Sequence, residues 1–216
     1  LKNFKLMSTL FLVLFISILI YKAHDDFPYY HFPYSYYLTQ FSLIIGIGQF
    51  NHGFNTPSSI FYLNSLYYLP ITKYGLFHIP ALLIFGFSNL ILIEKLLKFL
   101  KKNKPNYLSY FLMFSLIFIN VFFYRLGEHG TDRSAQILIF ILVYELIHLL
   151  NDKKNFSSSL SKVFLLLSII ITLKAFYILY IILLLPIFLF IYSKIKFKIF
   201  ELVIKNKFFT FLIISF

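Results

Sequence analysis

Three groups of polar residues interrupt an otherwise apolar sequence, and their types suggest what chemistry they could do. The first is His24-Asp25-Asp26-Phe27-Pro28-Tyr29-Tyr30-His31. Adjacent carboxylates repel each other, and a divalent cation such as Mg²⁺ or Mn²⁺ relieves that repulsion, because Asp oxygens suit hard metals. Alternatively, Asp25 or Asp26 serves as the general base that takes a proton from an attacking hydroxyl. The plainer alternative is an acidic pair solvated at a helix end. The second group is Arg125-Leu126-Gly127-Glu128-His129-Gly130-Thr131-Asp132-Arg133, which holds both arginines of the chain. The guanidinium fork suits phosphate, and Glu128 and Asp132 could share a metal with Asp25. Its plain alternative is a charged turn whose ions pair among themselves, worth about 0–1 kcal/mol each. The third is Lys174, alone in a long apolar run. An ionisable group at membrane depth is a functional candidate, with a phosphate or pyrophosphate as a fitting counter-ion, unless its stem simply snorkels to the boundary.

Histidine adds less. Five of the six (His24, His31, His52, His78 and His129) fall on or near the expected outer face, yet HExxH and other ligand spacings are missing. Each reads first as a hydrogen-bonding interfacial residue. His24, His31 and His129 stay candidates because they flank the acids. Glu145 and His148, three residues apart within a span, read as structural groups that hydrogen-bond each other or a neighbouring helix.

The elements that must position these groups follow from composition. The chain has 216 residues, 60% hydrophobic and 22% aromatic, with a mean hydropathy of +0.82. Only 13% are charged, about half the roughly 25% usual in soluble domains. One core in water could not hide so much apolar surface. A soluble cytosolic enzyme, a disordered chain and a nucleic-acid-binding module are excluded despite the net charge of +12. The absence of cysteine removes disulfides, thiol catalysis and Cys-ligated metal centres.

A membrane helix needs about 20 apolar residues, somewhat fewer where the bilayer adapts. Spans are expected at 6–21, 76–93, 107–124 and 135–150, in the stretch 163–192, and from 208 onward, where the last is cut off. The first has no cleavage site after it and reads as an uncleaved span. The stretch 163–192 is long for one span and short for two, and lysine placement arbitrates. A hairpin turning near Lys174 puts fifteen of the twenty basic residues on one side, leaving Lys22, Lys73, Arg125, Arg133 and Lys174 on the other. A single span divides them evenly and buries Lys174. The hairpin is therefore expected, and the +12 becomes an orientation signal toward anionic headgroups. The expected fold is all-α: one polytopic transmembrane domain over 1–216, with about six complete spans, a truncated seventh and interfacial helices in a first outer loop at 22–75. The chain begins at Leu1 and stops within an apolar run, so it is expected to be the N-terminal part of a longer protein.

That first loop is rich in tyrosine and phenylalanine and carries prolines at 28, 33, 57 and 70. Rings that are half apolar and half wet suit a membrane–water boundary. Segments 29–41 and 60–69 are expected to lie flat in the interface. Thr56 is expected to cap the second, with Pro57 at its first helical position. Gly46-Ile47-Gly48 and 51–55 are expected to be turns.

This layout resembles the GT-C superfamily of membrane glycosyltransferases: an N-terminal span, a long first outer loop opening on paired acids, interface-lying helices, then short spans with further acids outside. Asp25-Asp26 matches the family's acidic pair, Glu128 and Asp132 resemble the acidic motif some members carry in the second loop, and the segment 25–31 resembles uncharacterised bacterial members. The second motif departs from the family in being ExxxD. The resemblance implies transfer of a sugar from a polyprenyl-phosphate donor to an acceptor glycan, lipid or protein. Asp25 or Asp26 would be the base, with Arg125, Arg133 and Lys174 on the donor phosphate and, in some members, a metal. It places the protein in a bacterial inner membrane with the site facing the periplasm. The alternatives are a transporter or flippase of lipid-linked glycans, which basic groups at helix breaks would also serve, and a structural subunit.

Overall fold

In the computed structural model, residues 2–18, 25–42, 45–56, 58–101, 106–122, 131–151 and 156–189 are described. They are mostly helical, with no β-strand among them and an isolated bridge between Leu69 and Lys73. The elements are α1 (Lys2–Ile18), a π-turn (Phe27–His31) running into α2 (Phe32–Gln40), 3₁₀ turns at Ile47–Gln49 and His52–Asn55, and α3 (Ser59–Ser65). After a third 3₁₀ turn come α4 (Ile79–Lys101), α5 (Tyr107–Phe122), α6 (Thr131–Asn151) and α7 (Phe156–Leu173), then a 3₁₀ segment, Ala175–Leu184.

Three helical stretches are long and apolar enough to cross a membrane: Tyr74–Lys101 with mean hydropathy 2.1, Asp132–Asn151 with 1.7 and Phe156–Leu173 with 1.9. Phe4–Leu14, Tyr107–Val121 and Ala175–Leu189 are apolar and shorter. The expected break in 163–192 falls at Lys174, whose extended backbone (φ −155°, ψ 117°) separates α7 from the 3₁₀ segment. The start of a span at 208 lies outside the described residues.

Helix α6 is the centre of the bundle because two of its faces are apolar. Ala135, Leu142, Leu146 and Leu149 join a core with Leu160, Val163, Leu167 and Ile170 of α7. Ile137, Ile141 and Tyr144 join a second core with Leu82, Phe85 and Leu92 of α4 and Leu108, Leu112 and Ile119 of α5. Between apolar helices of membrane length, close approach and polar contacts add to the packing. Gly86 of α4 allows such an approach, since a Cβ there would sit 2.6 Å from the Phe11 ring of α1. Asn120 of α5 donates to Asn89 Oδ1 of α4 at 2.6 Å.

Segment 25–77 packs as an aromatic platform on the end of the bundle that carries the start of α6 and the end of α7. Tyr34, Phe54, Ile60 and Phe61 share the α6–α7 core. Pro33 has no N–H to give to the carbonyl four residues back, that of Tyr29. Asn51 Nδ2 donates to that carbonyl instead at 2.9 Å, tying the second 3₁₀ turn to the π-turn. Gly53 makes the same contact possible at close range, because a Cβ there would lie 2.5 Å from Tyr30 Cβ. The expected turns therefore appear as short 3₁₀ helices, with Gly46 at φ 85°. The expected flat helix at 60–69 stops earlier, at Ser65, and its cap is Ser58 rather than Thr56. Ser58 is two-sided: its Oγ accepts from Ile60 N at 3.3 Å and donates to the Leu173 carbonyl at the end of α7, while Thr56 Oγ1 turns back to the Gly53 carbonyl.

Candidate functional site

The site grows out of two helix ends. Asp132 stands in the first turn of α6, where the unpaired N–H groups favour a carboxylate, and Lys174 stands just past α7, where unpaired carbonyls favour a cation. The antiparallel packing of α6 and α7 brings these ends together. Lys174 Nζ donates to Asp132 Oδ2 at 2.6 Å. The Tyr177 hydroxyl lies 3.5 Å from the other carboxylate oxygen and also shares a hydrogen bond with Gln136, one turn along α6. The pair is open to the outside, with side-chain exposures of 27% for Lys174 and 46% for Asp132.

The platform adds Asp26 and Tyr30. Asp26 opens the π-turn and is partly buried, whereas Asp25 is exposed. Burial pushes the Tyr30 phenol from 10.0 up to about 12, and the nearby charges of Asp26 and then Asp132 push the same way. One tyrosine therefore feels carboxylates from two distant parts of the sequence. It remains a neutral hydrogen-bond donor at ordinary pH. Its ring is held by His31 at 4.3 Å, by Phe61 at 6.2 Å and by Gly53.

Asp26, Asp132 and Lys174 thus gather at one end of the bundle. His31 is buried within the platform, 5.7 Å from the Phe61 ring, as an aromatic packing partner. Arg133 follows Asp132 in α6 and is partly buried. His24, Arg125, Glu128 and His129 lie outside the described residues. Among the described residues no three of His, Asp and Glu group as metal ligands would. The described part of the expected metal set fits poorly, since Asp132 already carries an ammonium at 2.6 Å that would repel a second cation.

Sequence reasoning passed over four contributors: Tyr30, Tyr177, Ser58 and Asn51. The tyrosines were hidden by the abundance of the residue. Ser58 and Asn51 act on backbone carbonyls 115 and 22 residues away, which local spacing does not reveal. The platform also holds a cavity of about 430 Å³, lined by Tyr29, Pro33, Tyr37, Phe41, Ile47, Phe50, Asn51 and Phe54. Its size and apolar lining suit a small ligand. The alternation Tyr29, Pro33, Tyr37 and Phe41 is one face of the helical run through the π-turn and α2. Tyr29 borders the cavity while its neighbour Tyr30 borders the charges.

A second ion pair lies toward the opposite end. Lys95 Nζ of α4 donates to Glu145 Oε1 of α6 at 2.9 Å and sits 4.9 Å from the Tyr144 ring centroid. The hydrogen-bonding role expected of Glu145 is thus met by a neighbouring helix, and Lys95 is a paired residue of α4.

Fold and site together define a class: an all-helical protein with membrane-length apolar helices, capped by an aromatic platform over a carboxylate–lysine cluster. The chain belongs to the family described as "Domain of unknown function (DUF8201)", whose model matches residues 1–216. No curated protein and no solved structure matches it.

Proposed function

We propose that this protein is a membrane glycosyltransferase that moves a sugar from a polyprenyl-phosphate donor to an acceptor hydroxyl at the platform end. The observation that supports it most is the 2.6 Å Lys174–Asp132 pair at the platform end, with Asp26 and Asp132 both close enough to Tyr30 to act on its phenol. In this reading the acceptor oxygen forms a bond to the anomeric carbon as the bond from that carbon to the donor phosphate oxygen breaks. The acceptor proton passes to Asp26 or Asp25, and the bonding electrons leave with the phosphate. Lys174 and Arg133, with Arg125, neutralise the charge that develops there, the kind of electrostatic help that often dominates catalysis. Tyr30 donates a hydrogen bond, and the cavity seats the sugar or acceptor. No step runs through a metal; Mg²⁺ or Mn²⁺ on Asp25, Glu128 and Asp132 belongs to a variant of the proposal. The shorter helices α1, α5 and Ala175–Leu189 are read as further spans, making about six. Lysine distribution turns the platform toward the periplasm of a bacterial inner membrane.

The test is transfer from a polyprenyl-phosphate sugar by the full-length protein in lipid. Replacing the general base, by Asp26→Asn or Asp25→Asn, is expected to lower turnover by about 10²-fold or more. Near-wild-type transfer by both variants would end the general-base assignment. Movement of a lipid-linked glycan across the bilayer without its consumption would instead favour the transporter reading, which the break at Lys174 also suits.

A further inference from the structure

We infer that Asp132 is a built-in stand-in for the ligand's phosphate: its carboxylate holds the Lys174 ammonium until a phosphate ester takes that ammonium over, and the exchange frees the carboxylate beside Asp26 and Tyr30. This rests on the phosphate-binding role proposed for Lys174.

Three features support the exchange. First, carboxylate and phosphate offer the same kind of anionic oxygen, and the 2.6 Å contact occupies the ammonium as a ligand oxygen would. Second, the pair is accessible. With 46% of the Asp132 side chain exposed, an incoming anion can approach it, and pairs of this exposure are weak enough to be displaced. Third, the lysine is held in place by its backbone and not by Asp132. Lys174 N donates to the Ile170 carbonyl at 3.2 Å, Tyr177 N donates to the Lys174 carbonyl at 3.0 Å, and Ser58 Oγ donates to the adjoining Leu173 carbonyl. The backbone that carries the lysine is therefore fixed independently of Asp132, and its flexible stem leaves the ammonium within reach of an incoming anion.

The released carboxylate also has a place to go. It remains in the first turn of α6, with the Tyr177 hydroxyl 3.5 Å from its second oxygen and Tyr30 close enough to feel its charge. Before exchange, Lys174 neutralises Asp132. After it, the Asp132 charge that acts on Tyr30 is no longer balanced by that ammonium.

The experiment measures binding to the full chain in phosphatidylcholine nanodiscs, with farnesyl phosphate as probe, farnesol as the phosphate-free control and inorganic phosphate as a competitor. Asp132→Asn removes the internal anion with little change of shape and is expected to tighten farnesyl phosphate about two- to five-fold, the range set by the strength of an exposed pair. Asp132→Ser, smaller and uncharged, is expected to tighten it too. Lys174→Met is expected to abolish the difference between farnesyl phosphate and farnesol, and Lys174→Met/Asp132→Asn is expected to match Lys174→Met alone. Competition by inorganic phosphate points to the free anion as a sufficient ligand, and its failure to compete points to the lipid-linked ester; either agrees with the exchange if Asp132→Asn tightens binding. If wild type prefers farnesyl phosphate to farnesol but both Asp132 variants bind it equally or more weakly, the stand-in role is overturned and the phosphate site survives. If neither wild type nor the Asp132 variants distinguish the two probes, the phosphate site itself falls.

Discussion

Two lysine–carboxylate pairs of similar length sit toward opposite ends of the bundle, at 2.6 Å for Lys174–Asp132 and 2.9 Å for Lys95–Glu145. Their lysines are equally exposed, at 27% and 26%, but Asp132 is 46% exposed and Glu145 only 6%. Distance therefore says little about what either pair does. The acid's surroundings decide: Glu145 lies between α4 and α6, where an unpaired charge has no water to turn to, whereas Asp132 can exchange its partner. One pair is a fastening between helices. The other is a polar opening at the edge of the aromatic platform.

The largest effect expected from breaking this contrast is at the buried pair. Lys95→Met strands the Glu145 carboxylate and should destabilise the protein by about 3–5 kcal/mol, read as loss of unfolding free energy in mixed micelles. Glu145→Gln should cost less, because the Lys95 stem can carry its charge toward water. Lys95→Met/Glu145→Leu should recover most of the loss. Equal costs for the two single variants would show that the asymmetry in exposure has no energetic meaning.

An intermediate effect is expected where Gly53 packs closely on Tyr30. Gly53→Ala drives a methyl to within 2.5 Å of Tyr30 Cβ and should cost about 1–3 kcal/mol through overpacking. Gly75, with nothing within 4 Å of an added Cβ, provides the comparison: Gly75→Ala should stay within about 0.5 kcal/mol of wild type. Thermal unfolding of the two variants side by side checks this. The smallest effect belongs to the exposed pair. Asp132→Asn should shift stability by about 0–1 kcal/mol, and raising salt should shrink that difference. A loss as large as that of Lys95→Met would remove the distinction between the two pairs.

Much of the architecture was legible because a bilayer leaves few options for such a sequence. Runs of Leu, Ile and Phe with almost no charge read as helices, and α4, α6 and α7 are long and apolar enough to span. The break at Lys174 was visible because a charge and the length of the run both required it. Ser58 was less visible, since Thr56 and Ser58 are equally good caps by type and only the position of the α7 end favours Ser58. Lys95 reads as one more inner lysine until Glu145 is seen opposite it, fifty residues later.

The residues by themselves determined the apolar character, the helical class, the aromatic character of the platform and the identity of the scarce polar groups, because each depends on composition and short-range period. Which polar groups meet was decided only by the tertiary structure. Asp26 and Asp132 are far apart in sequence, and it is the packing of the platform onto the antiparallel α6–α7 pair that brings both charges near enough to act on one tyrosine and pairs one of them with Lys174. Electrostatic interaction falls with distance through space and is indifferent to separation along the chain, so pairing of this kind cannot be read from spacing.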